Sequence, residues 1–117
     1  MRDFRNLEAW HKAHAFTLAV SRTTESSPGS EAFGLATALR RRLADIPMKL
    51  AGACGKDVHT EFASCLRQAR GIGLEVEYQL LLAHDLQLIE TSAYEVLRTN
   101  LIEVRKMASG LMKAIPV

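Results

Sequence analysis

Proline, glycine, cysteine and aromatic residues are all scarce in this chain, and each shortage excludes something. Three prolines and seven glycines in 117 residues leave too few turn formers for a many-stranded sheet. The abundant Leu, Ala, Glu and Arg favour helices instead. The two cysteines, Cys54 and Cys65, make neither a C-x-x-C pair nor a disulfide framework. If the chain reverses near Lys56, they fall about five residues out of level, which at ~1.5 Å per residue exceeds disulfide reach. Reduced thiols in a cytoplasmic protein are the expectation. No apolar run approaches the ~20 residues that cross a bilayer. The charged start, Met-Arg-Asp-Phe-Arg, lacks the apolar core of a secretion signal, so no secretion is expected.

Chemistry-bearing motifs are missing as well. No serine sits in a G-x-S-x-G turn, and Gly71-Ile72-Gly73 has no preceding strand to make it a phosphate loop. Those glycines read as points of close helix packing. Cys65 falls on an apolar stripe and reads as a small hydrophobe. Glu8-x-x-His11 matches half of a carboxylate-bundle di-iron motif. The second half is missing, because Leu81 stands three residues before His84 and Lys56 three before His59. His11 and His14 could hold a surface metal only weakly. No enzyme, metal or cofactor is expected.

What is present is helical periodicity. With 48% hydrophobic and 24% charged residues, the chain reads as one ordered domain spanning 1–117. Helix 1 is expected over Leu7–Ser26, capped by Asn6, with Ala9, Ala13, Phe16 and Val20 on one face and Phe4, Leu7 and Leu18 nearly opposite. Residues 26–30, Ser-Ser-Pro-Gly-Ser, form a linker. Helix 2 is expected over Phe33–Gly55, with a stripe at Leu35, Leu39, Leu43, Ile46, Leu50 and Ala53. Pro47 lies inside it and costs an ideal helix ~3 kcal/mol; since the apolar spacing continues past it, a kink is expected rather than a break.

Asp57 is the expected cap of helix 3, which reaches about Leu86. Its main stripe is Phe62, Leu66, Ala69, Gly73, Val76, Leu80 and Ala83. A second face carries Leu74, Leu81 and Leu88, flanked by Tyr78 and Leu82. After a break at 87–90, Thr91 caps helix 4, whose stripe runs Ala93, Leu97, Leu101, Val104, Ala108, Leu111 and Ile115 until Pro116 ends it. Four long helices with short connections make an all-α, up-down-up-down antiparallel four-helix bundle.

Phe4-x-x-Leu7-x-x-Trp10-x-x-Ala13, Phe33-Gly34-Leu35, Arg40-Arg41, Ile46-Pro47 and Leu50-Ala51 occur in order, followed by Glu61-Phe62, Leu66, Ala69, Gly71 and Glu75-x-Glu77. This succession resembles the four-helix-bundle family encoded in intervening sequences of bacterial 23S ribosomal RNA genes. Proteins similar to that family include the accessory variability determinant of diversity-generating retroelements. The chain departs from the family pattern at Lys49, Gly52-Ala53 and Ile72. The resemblance implies a four-helix bundle assembling into a homopentamer, nucleic-acid binding in some members, and no enzymatic activity.

Two surface features can be read from the residues. Residues 40–70 hold Arg40, Arg41, Arg42, Lys49, Lys56, Arg67 and Arg70 against three carboxylates, although the whole chain is only +2. Reversal near Lys56 would bring Arg40 and Arg41 level with Arg70 and make one end of the bundle basic. Arg40, Arg41, Arg67, Arg70, Lys49 and Lys56 are therefore the candidate phosphate contacts, to RNA before DNA. Arg42 is expected nearest the core edge. The alternative is a solvated face with local pairs such as Arg41–Asp45, on a protein-interaction scaffold. The second apolar faces of helices 1 and 3 (Leu7, Leu18, Leu74, Tyr78, Leu81) are candidates for contact with further copies of the chain.

Overall fold

The computed structural model describes residues 2–25 and 34–115, so the 26–30 linker, Phe33 and Pro116 lie outside the described residues. Four helices form where the periodicity places them: α1 (Glu8–Glu25), α2 (Leu35–Ala53), α3 (His59–Asp85) and α4 (Thr91–Ala114). Each helix packs beside two neighbours, in the cycle α1–α2–α3–α4–α1. Cross-contacts show that neighbours run antiparallel. Arg40 reaches Thr24, Arg42 reaches Glu75, Arg105 reaches Glu77 and Lys12 reaches Glu103. The result is an up-down-up-down bundle, 46 × 20 × 19 Å.

The inner stripes supply the core. Leu39, Leu43, Ile46 and Leu50 from α2 meet Leu66, Val76 and Leu80 from α3, Phe16 and Val20 from α1, and Leu101 from α4. All ten are shielded almost completely from solvent. Burying a side chain of this size contributes about 1.5–3 kcal/mol, which holds the helices together far more than propensity does. Pro47 is buried inside a continuous α2. The helix is not broken there, because the apolar stripe packs on both sides of the missing hydrogen bond.

Four expectations about helix ends need correction. Asn6 does not cap α1. Phe4–Asn6 forms a 3-10 turn whose own cap is Asp3, accepting from the Arg5 N–H at 3.0 Å, and α1 starts only at Glu8. Helix 2 starts after Gly34, at φ 68° in the left-handed region that glycine occupies freely, and ends at Ala53 rather than Gly55. Val58 stands at the N-cap of α3 in place of Asp57. Glu90 holds that position for α4, while Thr91 is its first residue and meets His84 Nε2 through its hydroxyl at 3.0 Å. Helix boundaries shift by a residue or two where packing, not a side-chain cap, sets them.

The N-terminal strap closes one end of the bundle. The Arg2 N–H donates to the Cys54 carbonyl at 3.0 Å, and the Arg2 guanidinium lies 4.0 Å from the Phe62 ring centre. Phe4 packs edge-on against Trp10, and His11 Nε2 donates to the Arg5 carbonyl at 2.6 Å. Beneath the strap Cys54 is buried, and burial pushes its thiol above the ordinary range. Cys65, the one expected on the core stripe, is half-buried; both cysteines are free.

Candidate nucleic-acid interface

Helix direction decides which charges gather. In an up-down-up-down bundle the N-terminal strap, the α2–α3 turn and the end of α4 share one end, here the basal end. Leu7 and Ala9 lining one hollow with Leu111 and Ala114 show the same. Dividing the bundle at the height where Gly73 meets Arg105, the described basal half (2–13, 47–72, 106–115) holds nine Lys/Arg against four Asp/Glu. The distal half (14–25, 34–46, 73–105) holds six against eight. A net charge of +2 thus conceals a bundle basic at one end and acidic at the other.

The predicted basic residues do not assemble as the sequence suggests. Lys49, Lys56 and Arg67 are exposed in the basal half. Arg70 is also basal but half-buried, donating to Ser109 Oγ on α4 at 3.3 Å. Arg40, Arg41 and Arg42 lie in the distal half, not level with Arg70. Arg42 is level with Glu75, about five residues or ~7 Å further along α3 than a turn at Lys56 would place it. The reason is the connection: α3 begins only at His59, so the reversal is centred later than Lys56.

The arginine run fans out, each member meeting different surroundings. Arg40 reaches inward, donating to the hydroxyl of buried Thr24 at 2.9 Å. Arg41 is exposed on a shallow groove of about 700 Å³ between α2 and α3, shared with Asp45, Glu75, Tyr78 and Gln79. Arg42, expected nearest the core edge, is 40% exposed and joins α2 to α3. Its Nη1 donates to Asp45 at 2.9 Å and its Nε to Glu75 at 2.6 Å. Those two carboxylates, Glu75 first, raise its already high pKa. Asp45 is therefore partnered by Arg42 at i,i+3, not by Arg41 at i,i+4.

Sequence reasoning passed over Arg2, Arg5 and Lys113, which stand at the basal end with Lys49 and Lys56. Helix direction alone would have found Arg5 and Lys113, since both chain ends must meet the α2–α3 turn. Arg2 could not be found that way, because its place depends on the strap docking against Cys54 and Phe62.

The interface candidates divide between two helices that do not adjoin. On α3, Leu74, Tyr78 and Leu81 are 54%, 62% and 40% exposed. On α1, Leu18 is 38% exposed, and Leu7, just before the helix, is half-buried. Among the described residues, no group of three or more His, Cys, Asp or Glu is placed to hold a metal ion. No described helix is long and apolar enough to cross a membrane.

Core, topology and surface together define a class: an antiparallel four-helix bundle whose charge is polarised along its axis. A family model supplies the particular identity. The model of the 23S rRNA-intervening sequence protein matches residues 5–110, and the chain belongs to that family. Comparison with curated proteins returned no match.

Proposed function

We propose that this protein is a non-enzymatic, cytoplasmic, homo-oligomeric bundle that binds nucleic acid, RNA before DNA, through its basal end. The unequal division of charge along the axis carries the reading. Lys49, Lys56, Arg2 and Lys113 offer cations at the basal end, with Arg5 sharing its charge with Asp3 at 3.4 Å, and there the phosphate backbone of a strand can be neutralised without any sequence being read. Arg40 and Arg70 spend donors on internal hydrogen bonds, and Arg42 is neutralised by two carboxylates, so these three are not the main contacts. Arg41 stands apart, on the distal groove.

Assembly with further copies is supported by exposed Leu18 on α1 and Leu74, Tyr78 and Leu81 on α3, and a pentamer is what the family resemblance implies. A ring of like-oriented copies would set the basal ends side by side and turn a modest patch into a continuous basic rim, raising avidity without new contacts. The test is a titration of structured and single-stranded RNA at rising salt, with the wild type and a Lys49→Glu/Lys56→Glu variant. The variant is expected to bind every sequence more weakly. Its slope of log affinity against log salt should flatten by ~0.7 per lost contact on single strands. An unchanged affinity and slope would overturn the reading and leave a protein-interaction scaffold with a solvated charged end.

A further inference from the structure

Aromatic rings and cations come together where the strap docks. The Arg2 N–H reaches the Cys54 carbonyl, two residues before exposed Lys56. Further along the strap, Phe4 carries the Arg5 guanidinium over its face at 4.5 Å. The Phe4 ring meets Trp10 edge-on, with centres 4.8 Å apart. One helical turn on, His14 lies parallel to Trp10, the planes 8° apart and the centres 4.9 Å apart. Phe4, Trp10 and His14 thus form a continuous ladder of rings that starts among Arg2, Arg5 and Lys56 and climbs α1.

The top of this ladder is open. Phe4 and Trp10 are half-buried and Trp10 packs against the core, which fixes the lower rungs. His14 is exposed, and among the described residues its ring nitrogens make no hydrogen bond. The bundle's other histidine–aromatic stack, His84 on Tyr94 at 4.6 Å, is built differently. There one imidazole nitrogen meets Asp85 at 3.3 Å and the other the Thr91 hydroxyl at 3.0 Å, and Tyr94 is buried. That stack is a closed joint between α3 and α4. His14 has its aromatic neighbour on one side only and spends neither nitrogen.

We infer that the ladder is a stacking platform for an unpaired base of single-stranded nucleic acid, the base lying on the His14 ring while Arg2 and Lys56 hold neighbouring phosphates; this rests on the nucleic-acid reading above. Every base has a π-face, so stacking on an aromatic ring tolerates any sequence. It requires a base free of its partner, because a duplex keeps its bases closed within the helix. Phosphate contacts alone favour the duplex, whose charge density is higher. The rings therefore add a preference for unpaired strands that the cations cannot supply.

Trp10 is the chain's one tryptophan, so its fluorescence reports on the ladder directly. The probes are a short dye-labelled oligoadenylate as RNA, the same strand as DNA, and the RNA strand annealed to its complement. Dye anisotropy reads binding, and tryptophan emission reads stacking. Both single strands are expected to change Trp10 emission at saturation, and the duplex to leave it unchanged. His14→Ala should lower affinity for the single strands by about fivefold or more, as loss of one base–aromatic stack does, and leave duplex affinity as it was. His14→Tyr, which keeps a ring, should restore single-strand binding. Position 14 is exposed, and circular dichroism of both variants checks that the helices persist. If single strands bind but His14→Ala binds them as tightly as the wild type, or Trp10 emission stays constant at saturation, the platform is overturned. If anisotropy shows no binding of any strand or duplex, the nucleic-acid reading itself falls, and the platform with it.

Discussion

The two faces of α3 make the most instructive comparison in the molecule, because one helix carries two apolar stripes with different fates. Leu66, Val76 and Leu80 on its inner face are fully buried, whereas Leu74, Tyr78 and Leu81 on its outer face are 40–62% exposed. The residue types are nearly the same. Four helices enclose only one axis, so an amphipathic helix with a second stripe has nowhere within its own chain to bury it. The inner stripe builds the fold; the outer one is available to another molecule.

The largest expected effect comes from truncating matched leucines on the two faces. Leu80→Ala should cost about 3 kcal/mol of unfolding free energy, through lost transfer energy and the cavity left behind. Leu74→Ala should cost less than about 0.5 kcal/mol, as is usual for exposed positions. Urea denaturation of both variants at low protein concentration is the check. Equal costs would mean that the outer stripe is buried within the isolated chain after all.

Two glycines two residues apart sharpen the comparison. At Gly71 an added Cβ would meet nothing within 4 Å, so Gly71→Ala should stabilise the chain by up to about 1 kcal/mol through helix propensity alone. At Gly73 the same Cβ would lie 2.9 Å from Arg105 Cγ, in the stem of the arginine that pairs with Glu77 at 2.8 Å. Gly73→Ala must displace that side chain, and the loss of packing and of the half-buried pair should exceed the propensity gain. A net destabilisation of about 1 kcal/mol is expected. Thermal unfolding of the two variants, with shifts of opposite sign, is the check.

The smallest effect is chemical. Burial raises the Cys54 thiol pKa, so the folded state favours the neutral thiol. That contribution is present below the ordinary thiol range and fades as pH rises through the shifted value. In native protein at pH 8, a maleimide or iodoacetamide should modify half-buried Cys65 first, and Cys54 only as the chain opens beneath Arg2. Mass spectrometry of the labelled peptides would show the order; equal rates would mean that the strap does not cover Cys54.

Much of this architecture is legible without coordinates, for a physical reason that particular residues show. Leu39, Leu43, Ile46 and Leu50 recur at intervals set by the 3.6-residue turn, and that local geometry holds wherever the helix sits. The inner stripes, the order of the four helices and the continuity of α2 through Pro47 could therefore be read from spacing. Caps were less legible. Val58 and Glu90 occupy N-cap positions without a side-chain cap bond, because packing sets those boundaries.

Charge behaved differently, since its meaning depends on how far one helix slides past the next. Arg40 to Arg42 are adjacent in sequence, yet one reaches Thr24, one lines an open groove and one ties Glu75 to Asp45. A short change in where α3 begins moved the run from beside Arg70 to beside Glu75. Sequence by itself determined the helices and their buried faces, because periodicity is a property of each helix alone. Only the tertiary structure decided which cations share the basal end and what surroundings each arginine of the 40–42 run meets. Both depend on the register between helices and on the docking of the Arg2–Leu7 strap, long-range contacts that no local pattern encodes.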